Sequence, residues 1–103
     1  MLKARPSVSV GFLLSTEGTY RRMGASALLG LQDALAEINA DARCGFRLEA
    51  MCVDPKGEAA AYGNGVAQLL DRGVRHIFGT TLSASRKEII PDLEQHGALL
   101  WYS

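Results

Sequence analysis

Apolar and polar positions along the chain change period several times, and each change marks an element. Residues 7 to 14, "SVSVGFLL", form a short apolar run with β-branched residues, the pattern of a buried strand, and "STEGTY" after them reads as a loop. Between Arg21 and Ala40, Leu28, Leu31, Leu35 and Ile38 recur at intervals of three and four with Gln32, Asp33, Glu37 and Asn39 between them, which predicts an amphipathic helix. "FRLEAMCV", 46 to 53, predicts a second strand. Asp54 followed by Pro55 fits an N-cap with proline at the first helical position, so a second helix is expected near 56 to 71. Its inward residues are Tyr62, Val66, Leu69 and Leu70, and Gly73 ends it. "VRHIF", 74 to 78, predicts a third strand. Ser85 and Glu88 match a capping box for a third helix that Pro91 should bend, and "ALLWY", 98 to 102, predicts a fourth strand.

Strands alternating with helices imply right-handed crossovers and a parallel α/β sheet with helices on both faces. The expected strand order is 2-1-3-4, a doubly wound arrangement in which the helices after strands 1 and 3 leave a crevice at the carboxyl ends of those strands. The hydroxyl-rich loops "STEGTY" and "GTTLSAS" both open there.

Composition narrows the function. With 103 residues the chain is one domain or part of one, and 48% hydrophobic with 21% charged residues is the balance of a soluble globular protein. Eleven basic and eleven acidic residues give a net charge of zero, which lacks the basic footprint of a nucleic-acid binder and does little to oppose self-association. No apolar run is long enough for a membrane span, so no membrane insertion is expected. "MLKARPSVSV" lacks the h-region of a secretory signal. The chain as given is therefore expected in the cytoplasm, and in the periplasm if an upstream signal has been removed. Cys44 and Cys52 have no second Cys/His pair to complete a zinc site; Cys52 is expected buried in its strand and Cys44 in a loop.

The crevice offers little for catalysis. Gly18 is the one glycine after strand 1, where a phosphate-binding loop would need several, and Ser15, Thr16 and Glu17 do not supply the paired acids of a receiver domain. Gly63 and Gly65 fall inside the second helix, where close packing explains them. Ser83 lacks the flanking glycines of a nucleophile elbow, and His76 in strand 3 and His96 at the far end of the third helix lie away from it. The chain is read as no enzyme and as needing no cofactor. Binding remains: the hydroxyls of Ser83 and Ser85, with the N–H groups of a helix start, suit a carboxylate, carbonyl or amide oxygen, although one of these serines is expected to cap the helix instead. Tyr102 and Ser103 end strand 4 on the same side of the sheet; Tyr20 could close over the crevice or pack on the sheet.

The stretches "VGFLLSTEGTY", "GASALLGLQDALAEINA", "DPKGEAAAYGNGVAQLL" and "GVRHIFGTTLSASRKEIIPDLEQHGALLWYS" together resemble type I periplasmic binding proteins of the branched-chain amino acid receptor group. Within that group they look most like the amide and urea branch, which includes the amide sensor of amidase operons. The resemblance implies non-catalytic binding of a short amide, urea or amino-acid-like solute, either as receptor of an ABC transporter or as a cytoplasmic module signalling amide state to an antiterminator. It places Ser83 on the ligand's polar head, with Leu82 supplying backbone and wall. Thr81 stands where the amide sensors carry an aromatic, and Tyr102 matches the aromatic ending strand 4, with Ser103 beside it. Ser15 and Tyr20 complete the expected site from the first loop. Members of this group have two lobes that close on the ligand, so residues 1–103 are expected to be part of the N-terminal lobe of a truncated chain. The partners expected are an ABC permease or a regulator protein, and a second copy or the missing C-terminal lobe.

Overall fold

A computed structural model of the chain describes residues 5–19, 21–80 and 83–101, the side chains of 83–85 excepted. The elements run β1 (Ser7–Leu13), α1 (Arg21–Ala40), β2 (Arg47–Val53), α2 (Ala59–Asp71), β3 (His76–Gly79), α3 (Ser83–Gln95) and β4 (Leu99–Trp101). All strand pairs are parallel and the order is β2-β1-β3-β4, the predicted doubly wound α/β arrangement. Because β2 lies on one side of β1 and β3 on the other, right-handed crossovers carry α1 to one face of the sheet and α2 to the opposite one. α3 crosses in the same sense as α2 and shares its face.

The core lies under α2 and α3. Leu13 and Ile77 from the sheet meet Tyr62, Val66, Leu69 and Leu70 of α2 and Ile89 and Leu93 of α3, with Met51, Val53 and Leu100 at its margin. The four apolar residues predicted to face inward from the second helix are all buried. Gly11 and Gly65 let α2 settle onto the sheet: a Cβ at Gly11 would stand 2.8 Å from Leu69, and one at Gly65 2.8 Å from Leu13. Close packing thus accounts for Gly65, whereas Gly63 has open space around it.

Alternation along the strands sends the other set of side chains to the α1 face. Phe12, Phe78 and Trp101 occupy one row across β1, β3 and β4, with ring centroids 6.1 and 6.2 Å apart, and His76 stacks on Trp101 at 6.3 Å. The row is buried at Phe12 and exposed at Trp101, where β4 ends the sheet. At the opposite edge the side chain of Asn39, on α1, takes both free backbone groups of Leu48: its amide nitrogen donates to the Leu48 carbonyl at 2.9 Å and its oxygen accepts the Leu48 N–H at 2.8 Å. The Arg5 guanidinium closes the end of α1 by donating to the carbonyls of Asn39 and Asp41 at 2.7 and 2.9 Å.

α2 and α3 both finish in Schellman motifs. Gly73 (φ 81°) and Val74 donate to the Leu70 and Leu69 carbonyls; Gly97 (φ 66°) and Ala98 donate to those of Glu94 and Leu93. Helix starts differ more from expectation. α2 begins at Ala59 with Glu58 at the N-cap, not at Asp54, because Lys56 (φ 56°) and Gly57 (φ 75°) are left-handed and form a turn closed by Glu58 N–H to Pro55 O at 3.0 Å. α3 begins at Ser83, so Ser85 lies within its first turn and is not the N-cap. The helix continues through Pro91. Cys52 is exposed rather than buried: Met51 and Val53 take the core side of the edge strand β2, which turns Cys52 outward.

Candidate functional site

At the carboxyl end of the sheet, β1 and β3 are held together beyond their ladder. Leu13 pairs with Gly79, and the N–H of Thr80 donates to the Leu13 carbonyl at 3.0 Å. Gly79 (φ 150°) has no room for a side chain, since a Cβ there would stand 2.0 Å from that same carbonyl. The turns leaving β1 and β3 therefore emerge side by side at one rim, at the point where strand order reverses. This is the rim at which the sequence analysis expects a crevice.

The β1–α1 loop is fixed from three directions. Ser15 is buried, its hydroxyl 2.8 Å from the Tyr62 hydroxyl and accepting the Gly57 N–H at 3.0 Å. Thr16 donates its N–H to the Asp54 carboxylate at 3.2 Å, and its hydroxyl donates to the same carboxylate. Gly24 of α1 lies against the Ser15 carbonyl, and Gly18 and Gly57 bring the loops after β1 and β2 into backbone contact. Asp54 also accepts the Lys56 N–H at 2.8 Å, an Asx turn. Desolvation pushes the Asp54 carboxyl up, but the Thr16 hydroxyl, the Lys56 and Thr16 N–H groups and the Lys56 charge together outweigh it, and its pKa lies below the ordinary 3.8.

Of the residues expected to bind ligand, Ser15 is at this rim with its hydroxyl engaged internally, and Ser83 is the first residue of α3, just beyond the β3 turn. Thr81, Leu82, Tyr102, Ser103 and Tyr20 lie outside the described residues. His76 opens β3 and His96 follows α3, both at the opposite end of their elements from the rim. Sequence reasoning did not single out Thr16, Asp54 or Gly57 as parts of the rim. The stretch "DPKG" carried a signal, since Asp, Pro and Gly at those spacings mark a turn, but its contact with Thr16 spans 38 residues and leaves no local pattern. Thr80 lies in the hydroxyl-rich stretch "GTTLSAS" without being one of the expected ligand residues. It is a β-branched residue at φ 54°, and its buried hydroxyl has no hydrogen-bond partner among the described residues. Among the described residues no group of His, Cys, Asp and Glu could hold a metal ion, and no helix is long and apolar enough to cross a membrane.

A parallel α/β sheet with two turns converging at its switch point forms the rim at which open α/β folds commonly bind ligands. The chain belongs to the periplasmic binding protein domain family, whose model matches residues 8–103, and the family consists of non-enzymatic solute binders. Its fold is that of a type I periplasmic binding protein fragment. It is similar to the branched-chain amino acid transporter substrate-binding protein LivJ of Streptococcus pneumoniae, solved with isoleucine, at TM-score 0.85 and 23% identity over 93% of this chain and 28% of that one. An ABC transporter substrate-binding protein from Sphaerobacter thermophilus matches at TM-score 0.81 and 26% identity, over 93% of this chain and 26% of that one. The leucine-binding protein LivK of Thermotoga maritima matches at 0.82 and 24%, over 92% and 27%. The chain thus spans little more than a quarter of the length of these structures.

Proposed function

We propose that residues 1–103 form part of the N-terminal lobe of a solute receptor and supply one wall of a cleft that holds a small polar molecule without changing it. The observation that carries this reading is the junction of the β1 and β3 turns, where the Thr80 N–H on the Leu13 carbonyl brings both loops to one rim. Ser83, at the start of a 13-residue helix, binds the polar head through hydroxyl and backbone. Thr81, Leu82, Tyr102, Ser103, Ser15 and Tyr20 are the residues proposed to supply the remaining contacts to the solute. The first turn of α3, Ser-Ala-Ser-Arg, carries no acid to compete with an incoming carboxylate or amide oxygen.

An amino-acid-like solute is supported by the isoleucine-bound LivJ and the leucine-binding LivK structures, and a short amide or urea by the residue pattern of the β3–β4 region. Delivery to an ABC permease is the role that goes with either. Isothermal titration of the full-length protein with L-leucine, L-isoleucine, acetamide and urea should give saturable binding for one of them. Ser83→Ala should then weaken it by about 1–3 kcal/mol, the cost of an unpaired buried polar group. Absence of heat across all four, with the protein folded, would overturn the reading.

A further inference from the structure

Thr80 combines two unfavourable features in one residue. Its φ of 54° is left-handed, which a β-branched side chain adopts rarely and at a cost. It is 4% exposed, and its hydroxyl has no hydrogen-bond partner among the described residues, which is uncommon for a buried polar group. Nothing in the packing demands a hydroxyl there, since valine would fill the same volume. The position is fixed, because the Thr80 N–H is tied to the Leu13 carbonyl at the rim between β1 and β3.

We infer that the Thr80 hydroxyl is a specificity-determining group of the cleft, unspent in the ligand-free chain and hydrogen-bonded to the polar head of the solute when it binds. This rests on the solute-receptor reading above and adds to it a residue and a cause for discrimination. A site that must pair a buried hydroxyl favours solutes with a carboxylate, carbonyl or amide at that point over apolar isosteres.

The test compares Thr80→Val and Thr80→Ser with wild type in the full-length protein. Valine keeps the β-branch and the strain and removes only the hydroxyl; serine keeps the hydroxyl. Thr80→Val should raise the ligand-free melting temperature by a few degrees, because an unpaired buried group is gone. The same variant should bind the solute selected from L-leucine, L-isoleucine, acetamide and urea about tenfold or more weakly. Thr80→Ser should restore affinity. Thr80→Val that binds as wild type does would overturn the inference while leaving the receptor reading intact. Should none of the four solutes bind wild type, the receptor reading fails separately and ligand-free stability decides. A Thr80→Val protein no more stable than wild type would show the hydroxyl already paired and overturn the inference; a more stable one would support an unspent hydroxyl.

Discussion

The carbonyl oxygen of Ser15 occupies the space that a side chain at position 24 would need: a Cβ on Gly24 would stand 1.8 Å from it. α1 therefore crosses the end of β1 at backbone contact, and this contact sets the height of the β1–α1 loop above the sheet. The neighbouring atoms are backbone on both sides, so a rotamer change offers no relief. Gly24→Ala should destabilise the chain by about 3 kcal/mol or more, read from the midpoint of urea unfolding. Gly30, which has open space around it on the same helix, provides the control: Gly30→Ala should stabilise by up to about 1 kcal/mol through helix propensity.

Ser15 and Tyr62 test whether the loop is tied to the core or only rests on it. Their hydroxyls lie 2.8 Å apart, Tyr62 is 1% exposed, and the Ser15 oxygen also takes the Gly57 N–H. Ser15→Ala strands both the Tyr62 hydroxyl and the Gly57 N–H, and should cost about 1–3 kcal/mol; Tyr62→Phe should cost about 1 kcal/mol. In a double-mutant cycle the two should be coupled by about 0.5 kcal/mol or more, and additive losses would show that the hydroxyls do not bond.

These contacts also mark where the sequence stops being informative. The order of strands, the bounds of α1 and the inward face of α2 follow from periodicity and the handedness of crossovers, which are local or general rules. Asp54 did not cap a helix because its carboxylate is engaged by Thr16 from the neighbouring loop and by Lys56 in its own turn. Ser85 matched a capping box by spacing alone, yet the helix had already begun two residues earlier. The exposure of Cys52 depends on β2 being an edge strand and on which of its faces meets the core. At the rim, the converging loops were legible from hydroxyls and glycines placed at strand ends. The partners of Ser15, 42 and 47 residues away at Gly57 and Tyr62, were not.

Asn39 substitutes for a missing neighbour of β2. Its carboxamide satisfies the N–H and the carbonyl of Leu48, two groups that an edge strand otherwise presents to solvent or to another chain. Asn39→Asp keeps the acceptor and loses the donor, while Asn39→Ala loses both. The alanine variant should lose about 1–3 kcal/mol, with the aspartate between it and wild type. Both should show faster amide exchange at Leu48 than wild type, and unchanged exchange there would place the protection elsewhere.

Asp54 should make stability depend on pH in the acid range. Its folded pKa lies below the ordinary 3.8, so folding favours the charged carboxylate. The associated stabilisation is fully present above the unfolded value and is lost as pH falls through the folded one. Asp54→Asn keeps the shape and one acceptor but cannot ionise. The stability difference between wild type and Asp54→Asn should therefore be constant from neutral pH down to about pH 5, then narrow through pH 4 and below. Comparing the two proteins isolates the contribution of Asp54. Unfolding midpoints measured in urea at intervals between pH 7 and pH 3 would give this curve; a difference that stays constant across the acid range would mean that the Thr16 and Lys56 hydrogen bonds do not favour the ionised form.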